Sequence, residues 1–287
     1  MLTLQTYTDA AAYLAVTAPD FSRDEARHGL IYGVAERLRT TPEHFQTAPY
    51  LATVQDEWQL VAAALMTPPH NLLVYAAVAE PAAAFTLIAQ NLAATGWQPP
   101  GVNGVTAWSQ SFAAVWQQVT GATVTPRMAL RVFALREVFP PAGVPGFMRA
   151  ATDADLELVL AWYTNFRLDA HVADPPPRTE VILRSIQAQN IFLWDDGGPV
   201  SLAAAGRRTL TGITIGPVYT PQAQRRRGYA SACVAALSQR LLDDGWAFCT
   251  LFTDLGNPTS NKIYQQVGYR PVCDFSEIGF GEVTGDR

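Results

Sequence analysis

Short stretches of sequence recur between the two halves of this chain, in the same order and at nearly the same spacing. The members of each pair lie roughly 145 residues apart, and together they keep the order of helix, glycine break and strand. A repeat of this length predicts two tandem copies of one α/β unit. The matching pairs are Thr8-Asp9-Ala10 with Thr152-Asp153-Ala154, Gln90-Asn91-Leu92 with Gln239-Arg240-Leu241, and Val115-Trp116-Gln117-Gln118-Val119 with Ile263-Tyr264-Gln265-Gln266-Val267.

A segment rich in proline and glycine, from Phe139 to Gly146, marks the boundary between the two copies. We therefore predict a first domain at 1–140 and a second at 147–287. Hydrophobic periodicity and turn residues in the second domain predict the element order β-α-α-β-β-β-α-β-α-β.

The chain of 287 residues carries a net charge of -5 and has a sequence pI near 5.4. This balance argues against binding to nucleic acid or to anionic membranes, since both need a basic surface. Its three cysteines are too few for a disulfide framework and lack the spacing of metal ligands. The amino terminus lacks the pattern of an export signal, and no apolar run is long enough to span a membrane. We expect a cytoplasmic protein without a metal, which holds any anionic ligand at a local site.

Three adjacent arginines, Arg225 to Arg227, lie between a predicted strand at 211–220 and a predicted helix at 228–243. In most sequences such a run is only a solvated charge cluster. Here the positive side chains oppose the helix dipole unless an anion is present, and the first N–H groups of a helix have no intrahelical partner. Gly228 lets the backbone approach an anion closely. The position therefore favours a phosphate group at the start of the helix.

The first copy lacks these features. Its corresponding turn, Val78 to Ala83, has no basic residue and contains Glu80, which would repel an anion. Trp116 stands at the place of Tyr264, and an indole N–H cannot do the proton chemistry of a phenol. We interpret the first copy as a degenerate one that serves as a scaffold or as a wall of the substrate site.

The pattern Arg225-x-x-Gly228-x-Ala230 after a strand, with Asn257 and Tyr264 downstream, resembles the acyl-CoA-binding motifs of the GNAT superfamily of N-acetyltransferases. The resemblance rests on specific motifs over 147–280 and on pattern alone over 1–139. It implies an α/β fold of two tandem GNAT-like domains, each a mostly antiparallel twisted sheet flanked by helices. It also implies acetyl-CoA as the acyl donor, bound through its coenzyme A part.

One departure from the family concerns the edge of the second sheet. Members usually have two strands after the glycine at Gly268, whereas this chain has one strand-like run, so an edge is left short. We expect the long strand-like run from Arg127 to Val138, or a neighbour of it, to complete that sheet.

The resemblance implies a role for each matching residue. Backbone N–H groups of the basic turn hold the pyrophosphate, the end of the preceding strand pairs with the pantetheine arm, and Tyr264 protonates the departing thiolate. Asn257 hydrogen-bonds the pantetheine or is simply a turn residue before Pro258. Arg226 stands where many members have glycine. The implied cofactor-binding residues are Val218, Tyr219, Thr220, Arg225, Arg226, Arg227, Gly228, Tyr229, Ala230, Asn257 and Asn261.

The sequence does not identify a general base, because the strand at 211–220 contains no carboxylate. This favours an acceptor of low pKa. At pH 7 roughly a tenth of an α-amine is neutral, against about four in ten thousand lysine side chains. Asp254 is a candidate base that acts through water, or else a turn carboxylate. His171, beside the proline-rich loop, is a further candidate for substrate contact.

These residues predict an acyl-CoA-dependent N-acyltransferase that moves acetyl to a small-molecule or α-amino-type primary amine by direct attack in a ternary complex. The alternative is a catalytically silent CoA-binding regulatory or scaffold protein, which the degenerate first copy allows and the intact Tyr264 disfavours. A nucleotide-phosphate fold fails because neither of its glycine motifs occurs. We prefer a monomer to a homodimer, because two fused copies can satisfy one another.

Overall fold

The computed structural model describes residues 1–170 and 176–283, and its first half has the element order β-α-α-β-β-β-α-β-α-β. Asp9 caps the first helix, because its carboxylate accepts from the Ala12 N–H at 3.0 Å. The elements are β1 (Leu2–Tyr7), α1 (Ala10–Phe21), α2 (Glu25–Thr40), β2 (Tyr50–Asp56), β3 (Gln59–Met66), β4 (Leu72–Ala76), α3 (Ala82–Ala94), β5 (Gly101–Val105), α4 (Thr106–Thr120) and β6 (Ala122–Leu135).

The second half repeats this order, which confirms the tandem repeat. Thr152 and Asp155 form a capping box in the turn that leads into its first helix. The elements are β7 (Phe147–Ala150), α5 (Leu156–Asp169), α6 (Thr179–Gln187), β8 (Ile191–Asp195), β9 (Pro199–Arg208), β10 (Gly212–Tyr219), α7 (Tyr229–Asp243), β11 (Phe248–Asp254), α8 (Pro258–Val267) and β12 (Arg270–Val283).

The described chain forms two compact units whose limits differ from those of the two halves. The first unit consists of Met1–Val132, Asp254–Gly256 and the segment from Val272 onward. The second consists of Phe133–Thr253 and Asn257–Pro271. The segments of each unit pack together in the full chain, which does not establish that either half folds alone. The domain boundaries at 140 and 147 therefore stay a prediction.

Each unit contains a mixed and mostly antiparallel sheet with helices packed against it, as the predicted fold class requires. Strands of the first unit lie in the order β1-β2-β3-β4-β5-β12-β6, and those of the second in the order β6-β11-β10-β9-β8-β7. The parallel pairs are β4 with β5 and β10 with β11. Antiparallel pairs include β1 with β2, β2 with β3, β8 with β9, and β9 with β10.

Most of the last strand of the second repeat lies in the first unit, and the end of the last strand of the first repeat lies in the second unit. In the first unit β12 pairs with β5, from Phe275 opposite Val105 to Gly279 opposite Gly101. In the second unit the end of β6 lies next to β11, and its Phe133 is fully buried in the core. Of the run 127–138, the part from Phe133 onward thus belongs to the second unit, where β6 lies beside β11, whereas 127–132 belong to the first unit.

Helices cover both faces of the sheet in the second unit. Cys233 and Leu237 of α7 lie four residues apart on one side of the helix and are both fully buried against one face. Trp162 of α5 and Ile182 of α6 are buried against strands in a second cluster. No helix in the described ranges is both long and apolar enough to cross a membrane. The packing fixes the start of α7 and the end of β10, where the candidate site lies.

Candidate active site

The parallel strands β10 and β11 pair only over their first residues. Gly212, Ile213 and Thr214 lie opposite Phe248, Cys249 and Thr250, and the described chain shows no β10–β11 pairing beyond them. On its other side β10 stays paired with β9 as far as Tyr219. The edge of β10 from 215 to 219 that faces β11 therefore offers main-chain hydrogen-bonding groups to an extended ligand.

Backbone geometry explains why β10 leaves β11. Two register shifts occur in its pairing with β9, between Ile213 and Ile215 and between Ile215 and Val218. Such bulges bend a strand. Within the second shift, Gly216 has a φ of +153°, a conformation almost confined to glycine. A Cβ at Gly216 would meet no atom within 4 Å, so the backbone conformation and not the space requires glycine there.

The turn after β10 presents a row of backbone N–H groups. Arg226 and Gly228 both adopt left-handed conformations, with φ of 65° and 84°. Gly228 is the N-cap of α7 and provides no side-chain cap. Among the described residues, the N–H groups from Arg226 to Ser231 have no backbone acceptor. Successive N–H groups in such a turn form a concave anion site, and the helix dipole adds to its attraction. We call the N–H groups of 226–231 the amide cradle.

Gly228 is required for space as well as for its backbone conformation. A Cβ there would lie 2.8 Å from a methyl carbon of Val144. Val144 belongs to the proline- and glycine-rich segment, which is held in place by the indole N–H of Trp194 donating to the Pro145 carbonyl at 2.8 Å. The segment read from the sequence as a linker therefore packs against the start of α7.

Side chains of the basic turn bind to neighbouring protein groups. Arg225 Nη2 donates to the Asp169 carboxylate, and its Nε donates to the Thr220 carbonyl at 2.9 Å. The Tyr229 phenol donates to Asp196 Oδ2 at 2.5 Å, and this hydrogen bond raises the pKa of Tyr229, whereas nearby Arg227 acts to lower it. The structure thus brings the cradle together through main-chain groups, while the side chain of Arg225 is engaged elsewhere.

The residues at the end of β10 direct their side chains into the fold. Tyr219 is buried, with its ring centroid 6.0 Å from that of Trp162. The Thr220 hydroxyl lies 2.8 Å from Ser201 Oγ, and Val218 packs against the core. Any contribution of these three residues to ligand binding must therefore come from their main chain, as the sequence interpretation held.

Tyr264 lies on α8 with its side chain half-buried. Its ring meets that of Tyr269 edge-on, with the centroids 6.0 Å apart. Burial raises the pKa of Tyr264 to about 12. In the part of the chain that the structure describes, its hydroxyl has no hydrogen-bond partner. The phenol is therefore protonated at neutral pH and can donate to a ligand atom.

Asn257 and Asn261 belong to the first turn of α8. Asn257 Oδ1 caps the helix by accepting from the Ser260 N–H at 3.0 Å. The Asn261 side-chain amide donates to the Asn257 carbonyl at 2.9 Å. Asn257 thus fills the turn role that the sequence left open, and its NH₂ group is the part that could reach a ligand.

The two base candidates have different outcomes. Asp254 is exposed and accepts from the Gly256 N–H at 2.7 Å, which is the geometry of a turn carboxylate. It belongs to the first compact unit, whereas the cradle and Tyr264 belong to the second. Its role as a base stays a prediction. His171 lies outside the described residues.

Metal and thiol chemistry find no support among the described residues. They include no group of three or more His, Cys, Asp or Glu side chains that could hold a metal ion. Cys233 and Cys249 are both buried, and burial raises the pKa of each thiol to about 12. A thiol with so high a pKa is a poor nucleophile near pH 7.

The corresponding strands of the first copy stay close just beyond their paired residues. The parallel strands β4 and β5 pair at Leu72 with Val102 and at Leu73 with Asn103, and a Cβ on Gly104 of β5 would lie 3.1 Å from the Val74 carbonyl. Beside them the rings of His28, Tyr75 and Trp108 pack with centroids 5.0 to 5.8 Å apart. The geometry fits the interpretation of this copy as a scaffold.

Sequence reasoning missed three features of the site. Gly216 lies beside Pro217 inside a predicted strand, and these two residue types mark a bulge when they occur there. Asp169 lies in the last turn of α5, where a carboxylate opposes the helix dipole, a signal that some cation lies nearby. Asp196 gave no comparable signal, because a carboxylate in a tight turn is ordinary.

Comparisons with known proteins agree with the fold. The family model described as FR47-like protein matches residues 196–276. No curated protein sequence matches the chain. Similar solved structures include a GNAT-family acetyltransferase from Colwellia psychrerythraea, with 14% identity, 97% of this chain and 98% of that chain covered, and a TM-score of 0.58.

Two further structures extend over nearly the whole chain. A GCN5-related N-acetyltransferase from Sphaerobacter thermophilus has 16% identity, covers 98% of this chain and 96% of its own, and gives a TM-score of 0.64. A tandem GNAT protein from the clavulanic acid biosynthesis pathway has 12% identity, covers 100% of both chains and gives a TM-score of 0.57. The resemblance to the GNAT superfamily is thus confirmed at the level of the fold, for both halves of the chain.

Proposed function

Starting from a tandem GNAT fold, we propose that this protein is an acyl-CoA-dependent N-acyltransferase whose site lies in its second unit. Solved proteins of this fold include a GNAT-family acetyltransferase and a GCN5-related N-acetyltransferase, which supports acyl transfer in general. The observation that carries the proposal is the separation of β10 from β11 beside the amide cradle at 226–231. An extended ligand that ends in a diphosphate would fit both features, and acetyl-CoA is such a ligand.

Binding of acetyl-CoA depends on main-chain groups in this proposal. The amide cradle donates to the diphosphate at the positive end of α7. The free edge of β10 pairs with the amides of the pantetheine arm, as an added strand would. A backbone N–H on the same edge donates to the thioester carbonyl oxygen, which gains negative charge as the amine attacks. When bound, acetyl-CoA supplies the activated acetyl group.

Tyr264 assists the departure of the thiolate. The amine nitrogen forms a bond to the carbonyl carbon, the carbon–sulfur bond breaks with its electron pair on sulfur, and the phenol donates its proton toward that sulfur. In water the thiol has the lower pKa, about 8.5 against 10. Burial raises the pKa of Tyr264 to about 12, so the phenol keeps its proton until the departing sulfur carries negative charge beside it.

The acceptor is proposed to be a small amine of low pKa. Gly212 to Tyr219 of β10 include no carboxylate that could remove a proton from a lysine-like ammonium. An α-amine needs little assistance, because roughly a tenth of it is neutral at pH 7. The excess amine proton then passes to water, and a proton taken back from water restores the Tyr264 phenol.

A thiol-release assay with acetyl-CoA and a panel of small amines tests this proposal on the full chain. We expect amine-dependent release of free thiol at a saturable rate. Gly228→Ala should raise the KM for acetyl-CoA by about tenfold or more, because a displaced cradle no longer fits the diphosphate.

Gly245→Ala is the matched control. Gly245 follows the other end of α7 with a φ of +98°, and a Cβ there meets no atom within 4 Å, so this variant carries comparable backbone strain without touching the cradle. Its KM should stay near the wild-type value. Saturable CoA binding without turnover of any amine would favour the silent regulatory protein instead. Absence of CoA binding would contradict both the acyltransferase and the silent CoA-binding regulatory protein.

A further inference from the structure

Arg225 is the residue of the basic turn that is tied most firmly to the protein. Its guanidinium donates from Nη2 to the Asp169 carboxylate and from Nε to the Thr220 carbonyl at 2.9 Å. Its Cζ also lies 5.9 Å from the ring centroid of Tyr219. One side chain thus joins the end of α5, the end of β10 and the turn that carries the amide cradle.

Asp169 occupies a position that the helix itself does not favour. It is the last residue of α5, where the helix dipole is negative and a carboxylate costs stability. The ion pair with Arg225 offsets that cost, although both side chains are about half exposed, at 45% for Arg225 and 50% for Asp169. Residue propensity at the end of α5 therefore does not account for Asp169, whereas its contact with the turn does.

The Arg225 guanidinium donates hydrogen bonds in two directions, one to a carboxylate and one to a backbone carbonyl. With Nη2 on Asp169 and Nε on Thr220, the guanidinium is directed back toward the protein. This orientation fixes the backbone of Arg225, and the cradle begins at the next residue. The side chain is therefore suited to set the position of the cradle rather than to bind a phosphate itself.

We infer that Asp169 is a positioning residue for cofactor binding, which acts through Arg225 to hold the amide cradle against the end of β10. The inference rests on the proposed function, because it concerns how the same site binds coenzyme A. Asp169 does not touch the ligand in this account. The same contact ties the end of α5 to the turn that carries the cradle.

Calorimetric titration of the full chain with coenzyme A tests the inference. Asp169→Ala should raise the Kd about threefold to fivefold, the range of a half-exposed ion pair. Asp169→Asn should raise it less, because an amide oxygen still accepts from Nη2. In the transfer assay Asp169→Ala should raise the KM for acetyl-CoA and leave kcat within about twofold, since the reacting atoms are untouched.

A double-mutant cycle tests whether Asp169 acts through Arg225, and a control variant tests whether the loss of any exposed carboxylate has the same effect on the Kd. Asp169→Ala should have no further effect in an Arg225→Ala background. Asp244→Ala removes a similarly exposed carboxylate at the far end of α7, paired with Arg240 at 3.8 Å, and should leave the Kd unchanged.

The outcomes distinguish this inference from the proposed function. If wild type binds coenzyme A and Asp169→Ala binds it equally well or more tightly, only the positioning role is overturned. Additive effects of Asp169→Ala and Arg225→Ala overturn it as well. If wild type does not bind coenzyme A, both the role and the proposed function are wrong.

Discussion

Replacement of Tyr264 by phenylalanine is expected to lower kcat about 100-fold and to leave the KM for acetyl-CoA within about twofold, the pattern of a lost general acid. The ring stays in its place against Tyr269, so packing and cofactor binding should persist. The pKa of Tyr264 is about 12, so its titration should not shape the wild-type rate between pH 6 and pH 9, roughly the range where it is fully protonated. Steady-state kinetics over that range measure both effects.

Tyr269→Phe is the matched control for this substitution. The Tyr269 hydroxyl is buried and hydrogen-bonded to Ser238 Oγ at 2.9 Å, so its loss should lower stability and not kcat. An unchanged kcat in Tyr264→Phe would remove Tyr264 from the role of proton donor. A fall in kcat of equal size in both variants would point to a disturbed helix α8 instead.

The isolated fragment 147–287 is expected not to fold into the native second unit. It lacks Phe133 and Leu135, which are both buried in the core of that unit. It also lacks the Phe139 N–H, which donates to the Val267 carbonyl at 2.8 Å at the end of α8. Its strand β12 loses the partner β5, with which it pairs in the first unit. Amide hydrogen exchange should find few slowly exchanging amides in the fragment.

Full-length Phe133→Ala tests the same dependence without truncation. Removal of a fully buried phenylalanine ring should lower the free energy of unfolding by about 3 to 5 kcal/mol. Chemical denaturation of the variant gives this value. Native protection throughout fragment 147–287, or a loss well below 1 kcal/mol in Phe133→Ala, would show that the second repeat is complete without β6.

The sequence predicted the elements well because their signals are local. Periodicity predicted the helix at 228–243, which is α7 in the structure, and the order of the elements in the second repeat, and glycine and proline marked the boundary between the repeats. The basic turn was also placed correctly at the start of a helix, since that needs only the order of a strand, Gly228 and an amphipathic run. Both results depend on residues within a few positions of one another.

Contacts between residues that lie far apart in the chain could not be predicted from the sequence in the same way. The place of β12 beside β5 depends on pairs such as Phe275 with Val105, which are 170 residues apart in the chain. The Arg225–Asp169 contact spans 56 residues, and nothing near either residue specifies the other. The bend of β10 had a local signal in Gly216 and Pro217, but a bulge beside a second strand is visible only once the register is known.

Titration of the ¹⁵N-labelled full chain with coenzyme A, followed by amide NMR, tests the central claim most directly, because it observes the N–H groups themselves. The account predicts that amide protons of 226–231 move downfield as they bind the diphosphate, together with those at the free edge of β10. The turn at 78–83 in the first copy should not change. Shifts confined to 78–83, or none at 226–231 at saturating coenzyme A, would contradict it.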